Sequence, residues 1–187
     1  RRRRRRGSSP RSSRISKRTS RLELAAIVTA AFQKEGMSAT LVGGAVVSIY
    51  TNNRYESHDL DFISPDDHKK IAKVMMELGF KKSGKNFEHP NTDLFVEFPS
   101  GPIGIGNRVP VTPEGIMKSG STKVILLSPT QCVMDRLAAW YHWNDTQSLE
   151  QAVLVAKSQP IKLKEVKEWS DAEGAAEKFD RFVNRLK

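Results

Sequence analysis

Apolar residues recur along this chain with two periods, and the switches between them set out the elements in order. Leu22, Ala26, Ile27, Ala30 and Ala31 repeat at helical spacing behind Ser20 and Glu23, a capping-box pair, so a helix is predicted from Ser20 until Gly36 ends it. Ala39–Val42 reads as a short strand, Ala45–Tyr50 as a helix, and Thr51-Asn-Asn-Arg54 as its break. Asp59-Leu-Asp-Phe-Ile63 alternates with period two, which predicts a half-buried strand with Asp59 and Asp61 on one face. Ser64-Pro-Asp-Asp67 caps a helix through about Leu78, stopped by Gly79. Phe80–Phe87 reads as a strand and turn, Asp93–Phe98 and Lys123–Leu127 as strands, and the Gly-rich stretch Ile103–Val111 as a hairpin or loop. After Ser128-Pro129 the pattern turns helical, over about 130–143, 146–157, 162–169 and 171–187. The expected fold is α+β: a small mixed sheet flanked by helices over residues 21–128, then a C-terminal helical region over 129–187.

Charge adds one feature to this outline. Of 31 basic side chains, eleven lie in residues 1–21, which hold no acid. The other 166 residues carry 20 basic groups against 21 acidic ones, a net of −1. The excess positive charge is therefore a Ser/Arg tail over residues 1–20, of low complexity and expected to be disordered alone. Clustered arginine binds nucleic-acid phosphate, but the homopolymeric opening without an initiator Met favours a solvated or non-native leader. No run of eighteen apolar residues is present, so no membrane span is expected. Cys132 is the single cysteine, which excludes an internal disulfide and fits a cytoplasmic protein.

Candidate chemistry centres on the acids. Two carboxylates on one face of an apolar strand repel and resist desolvation unless a cation lies between them. Oxygen-only donors of this kind suit Mg²⁺, which takes one or two carboxylates plus substrate phosphates. Glu97, between Val96 and Phe98, is a third inward-facing carboxylate, with Asp93 as its rival. Gly43-Gly44 opens the helix before the aspartates, so backbone N–H groups there can approach a triphosphate with no Cβ in the way. Ser48, one turn further on, is a candidate phosphate contact, although a serine inside a helix usually bonds its own backbone. The set Asp59, Asp61 and Glu97 (metal binding and catalysis) with Gly43, Gly44 and Ser48 (nucleotide binding) matches what nucleotidyl transfer from an NTP requires.

The order strand, Gly43-Gly44, helix, Asp59-Leu-Asp61, then Glu97 in a later strand resembles the nucleotidyltransferase (polymerase-beta-like) superfamily. More narrowly it resembles the bacterial minimal nucleotidyltransferases, which include the AbiE-type toxins of toxin–antitoxin and defence systems. The resemblance covers roughly residues 38–157. It implies that the glycines contact phosphates, that Asp59 and Asp61 bind Mg²⁺, and that Glu97 completes the site or deprotonates the acceptor. It also points to Arg136, His142 and Asp145 as groups able to reach the site. The basic residues common around Asp145 in the toxins are absent here, a departure that touches toxin activity more than fold.

Blander readings stand beside each residue. Asp59 and Asp61 would face solvent at a sheet edge, Gly43-Gly44 would be a plain tight turn, and Glu97 would pair with Lys or Arg. Trp140, Tyr141 and Trp143 read as core packing, Cys132 as buried filler and His58 as structural; the histidines lack zinc-type spacing. Two further functions remain open: a non-catalytic partner module of the same fold, and an RNA-binding protein acting through its Arg tail. The acceptor, whether protein, RNA or small molecule, has no signal in the sequence.

Overall fold

The first helix shows how local chemistry fixes an element's ends. In the computed structural model, which describes residues 15–187, α1 (Arg21–Lys34) begins with the capping box read from the sequence. Glu23 N–H donates to Ser20 Oγ at 3.2 Å, and Ser20 N–H donates to the Glu23 carboxylate at 2.7 Å. Gly36, at φ 69°, ends the helix, with Met37 N–H returning to Phe32 O at 2.9 Å. Residues 1–14 of the expected tail lie outside the described residues. Ile15–Ser20 departs from the tail reading: Ile15 is buried and Thr19 N–H closes a turn onto Ser16 O at 3.0 Å. A lone apolar residue among arginines and serines carries no periodicity, so this anchor had no pattern to announce it.

The following elements are β1 (Thr40–Val42), α2 (Gly44–Tyr50), β2 (Asp59–Ile63), α3 (His68–Glu77), β3 (Lys81–Ser83), β4 (Asn86–Glu88) and β5 (Phe95–Glu97). They continue with β6 (Gly115–Ser119), β7 (Thr122–Leu126), α4 (Pro129–Trp143), α5 (Thr146–Ser158), α6 (Leu163–Ala172) and α7 (Ala176–Leu186). Among the described residues the seven strands form one mixed sheet in the order β3-β4-β5-β2-β1-β7-β6. Strand β2 is central, antiparallel to β1 and parallel to β5. The expected mixed sheet flanked by helices is the fold observed.

Two differences from the sequence reading have clear causes. Asp93 lies in an exposed bend before β5, not inside the strand. Strand β6 escaped notice because, among the described residues, it is an edge strand pairing only with β7, and its Ile116 is 59% exposed, so no apolar alternation marks it. Gly120 at φ 58° makes the turn between these two strands.

Side chains stitch the helical region to the sheet. On α4, Gln131 accepts from Glu114 N–H (2.9 Å) and Ser128 N–H (3.0 Å) and donates to Thr112 O (2.7 Å). Tyr50 Oη donates to Leu127 O at 2.8 Å, and Gln159 Nε2 donates to Tyr50 O at 3.0 Å. Under the sheet, Phe98 stacks on Phe32 and Phe62 (centroids 5.4 and 5.8 Å) and meets Phe87 edge-on at 5.8 Å. This cluster joins α1, β2, β4 and the end of β5. Phe98→Ala is therefore expected to cost about 3–5 kcal/mol, read as a lowered midpoint in urea unfolding.

Candidate active site

Sheet register assembles the site. Residues paired across neighbouring strands project to the same face, and Asp61 of β2 pairs with Val42 of β1 and with Glu97 of β5. Glu97 pairs in turn with Asn86 of β4. Asp59 lies two residues before Asp61 and shares its face, while Leu60 and Phe62 are fully buried on the other. The three sequence-predicted acids thus emerge together. Asp93 does not join them.

Gly43 closes one side of this row. At φ 73° it takes a conformation that side chains rarely adopt, and a Cβ there would sit 2.7 Å from Asp61 Oδ2. A Cβ on Gly44 would come within 2.9 Å of Ser57 Oγ and 3.4 Å of Tyr55. The glycine pair is a close approach of backbone to the carboxylates, not merely a turn.

Ser48 bonds the backbone around it. It is fully buried; its hydroxyl donates to Gly44 O at 3.3 Å and accepts from Ser57 N–H at 2.9 Å. It braces the loop before β2, the backbone-bonding alternative weighed for a serine inside a helix. Ser57 in turn donates from its hydroxyl to Asp59 Oδ1 and, at 3.1 Å, to Asp59 O. Arg21, at the start of α1, donates to Ser57 O and at 3.0 Å to Asn53 Oδ1. This chain from α1 through the loop to Asp59 had no signal beyond an unremarkable serine two residues before the acid.

The electrostatics follow from crowding. Burial pushes the Asp61 carboxyl up to about 6, helped by the negative charges of Asp59 and Glu97 and opposed by Arg136 and Lys85. Glu97, with its side chain 12% exposed, pairs with Lys85 Nζ at 3.2 Å. The pairing once set against a catalytic role is therefore present alongside the shared face. Arg136 of α4 is mostly buried, bonds Asp135 through Nε at 3.0 Å and approaches Gln151 at 3.4 Å. It also lines a hollow of about 410 Å³ with Asp135, His142, Trp143, Gly106 and Asn107. Of the other residues expected near the site, Asp145 caps α5, accepting from Gln147 and Ser148 N–H. His142 Nε2 meets Glu173 Oε2 at 2.7 Å. Trp140 and Tyr141 pack in the core as expected; Trp143 is 82% exposed and does not. Cys132 is buried, its thiol pushed up to about 12 by burial.

Among the described residues, no group of three or more His, Cys, Asp or Glu side chains is placed to hold a metal ion. The donor chemistry still fits a hard cation: oxygen ligands on one face, with a raised Asp61 that gains from a positive charge. An open set of this sort suits an ion whose remaining ligands come from a bound phosphate and water.

In the solved structures, the chain is similar to an antigenic nucleotidyltransferase-like protein from Paracoccidioides brasiliensis, at 13% identity and TM-score 0.55, covering 75% of this chain and 77% of that one. It is also similar to the antibiotic-resistance factor ANT(2'')-Ia in solution, at 14% identity and TM-score 0.51, covering 86% and 94%. No protein-family model matches the chain. No curated protein matches it either. The likeness establishes a nucleotidyltransferase-like fold. Among the described residues no helix is long and apolar enough to cross a membrane.

Two outcomes follow from this geometry. Asp61→Asn mimics the protonated acid, and the wild-type group binds its proton more tightly folded than unfolded, so wild-type stability falls as pH rises from about 4 through about 6. Thermal melts should show the variant more stable than wild type at pH 7–8 without added metal, with the gain gone near pH 4. Gly43→Ala should strain φ and drive Cβ into Asp61, lowering the melting temperature by several degrees, on the order of the shift from about 1–3 kcal/mol.

Proposed function

We propose that this protein is a Mg²⁺-dependent nucleotidyltransferase that binds an NTP at Gly43-Gly44 and transfers its nucleotidyl group to an acceptor hydroxyl. The observation behind this reading is the register: Asp61 and Glu97 side by side, Asp59 on the same face, and Gly43 against Asp61. Asp59 and Asp61 would hold the metal, with Glu97 as a further ligand or as the base. Mg²⁺ bound there would supply positive charge to the triphosphate and lower the barrier to displacement.

In the transfer, the acceptor oxygen forms a bond to the α-phosphorus. The bond from that phosphorus to the oxygen bridging to the β-phosphate breaks, and pyrophosphate leaves with the electron pair. The acceptor's proton passes to Glu97 in its role as base. Gly43 leaves backbone room for the phosphates, Ser57 orients Asp59, and Arg136 adds fixed positive charge behind Asp61. A cytoplasmic place in an AbiE-type toxin–antitoxin or defence system is the finer form of the same proposal.

Thermal shift with each NTP, with and without Mg²⁺, provides the test. At ligand roughly 100 times Kd the melting temperature should rise by about 5–10 °C, and the rise should vanish in Asp59→Ala and Asp61→Ala. Silence toward every NTP with metal overturns the proposal. A labelled NTP incubated with protein and cell lysate then identifies the acceptor by what becomes labelled.

A further inference from the structure

The β3–β4 hairpin carries a cation that the nucleotidyl-transfer reading does not use. Lys85, at the hairpin tip behind Gly84 (φ 59°), has its side chain 81% exposed, yet its Nζ lies 3.2 Å from the mostly buried Glu97 carboxylate. Among the described residues, strand β3 is a sheet edge whose one strand partner is β4. Among the described residues Lys85 is the one salt-bridge partner of Glu97; Asp59 and Asp61 have none. Among the described residues the buried Oδ1 of Asn86, paired directly across from Glu97, has no hydrogen-bond partner, so this end of the row holds an unmet acceptor beside a carboxylate.

We propose that Lys85 exchanges partners: in the free protein its ammonium stands in for a divalent cation on Glu97, and it moves to the nucleotide's phosphates when a cation takes the carboxylates. The physical basis is competition. A mostly buried Glu97 beside Asp61 needs a counter-ion, and a lysine on a flexible stem at an exposed turn supplies one that is easily released. Once a divalent ion occupies the row, the ammonium is repelled from it and attracted to the anion arriving next to it. The released stem swings without altering the sheet, because Lys85 lies outside both strands of the hairpin. This inference rests on the proposed metal and nucleotide site, so its test separates the two.

Mn²⁺ alone, followed by electron paramagnetic resonance, probes the cation; α,β-methylene-ATP with Mg²⁺, followed by calorimetry, probes the nucleotide. Lys85→Ala should bind Mn²⁺ about fivefold more tightly and the nucleotide analogue about fivefold more weakly. Lys85→Arg should restore both. In a Glu97→Gln background, removing Lys85 should leave Mn²⁺ affinity unchanged, because the competing pair is already broken, while still weakening the nucleotide. A Mn²⁺ gain that persists in that background would mean a general field effect and overturns the exchange, as does any pattern in which both affinities move together or neither moves. Wild-type Mn²⁺ binding that ignores Asp61→Asn overturns the underlying site, and the exchange with it.

Discussion

Everything at the site depends on Leu60 and Phe62 being fully buried on one face of β2. A strand has a side-chain period of two, so burying those residues compels Asp59 and Asp61 to the opposite face. A slip of one residue would expose Leu60 and Phe62 and put both carboxylates in the core, at a desolvation cost no nearby group offsets. The fold therefore fixes the acids by packing their apolar neighbours. Parallel pairing with β5 then sets Glu97 beside Asp61 by the same rule, with Val96 buried behind it. Strands in register lie about 4.8 Å apart, so the crowding of negative charge is built into the sheet.

The surrounding elements hold that crowded row in shape without neutralising it. Ser57 fixes Asp59 through its hydroxyl, Ser48 fixes Ser57, and Arg21 fixes the same loop from α1. Gly43 lets backbone reach Asp61 where any side chain would collide. Arg136 brings a positive charge from α4, but Asp135 beside it already claims much of that charge. Lys85 is exposed and pairs with Glu97. Among the described residues, three carboxylates thus face one loosely held lysine and one shared arginine, and this imbalance adds to the burial that raises the Asp61 carboxyl.

Periodicity exposed the strong elements and missed those whose physics is not periodic. The capping box at Ser20, the helical turn after Ser128-Pro129 and the alternation of Asp59–Ile63 were legible because local chemistry and burial agreed there. Strand β6 was not, since an edge strand with exposed Ile116 needs no apolar face. Asp59, Asp61 and Glu97 could be read as one face because their neighbours are apolar. Ser48 could not be placed by type alone: the same hydroxyl serves a phosphate or a neighbouring N–H, and only the path of the loop at Ser57 decides between them. Lys85 and Asn86 carried no signal because their relevance comes wholly from the register of β4 against β5. The tail at 1–14 lies outside the described residues, so its part in any nucleic-acid binding rests on composition.

On the proposed reading, charge balance also dictates an order of events. A triphosphate approaching three carboxylates meets net repulsion, since Lys85 is engaged by Glu97 and Arg136 by Asp135. The same anion carrying a divalent ion is less negative and brings the cation to the row, where the open donor set has places left for the phosphate oxygens. The site should therefore admit metal-chelated nucleotide and refuse the free anion, so that affinity for a bare NTP is not the measure of its function. The glycine turn matters only after that step, when backbone N–H groups near Gly43 meet phosphates already held by the cation. A pocket arranged in this way discriminates by charge before it discriminates by shape.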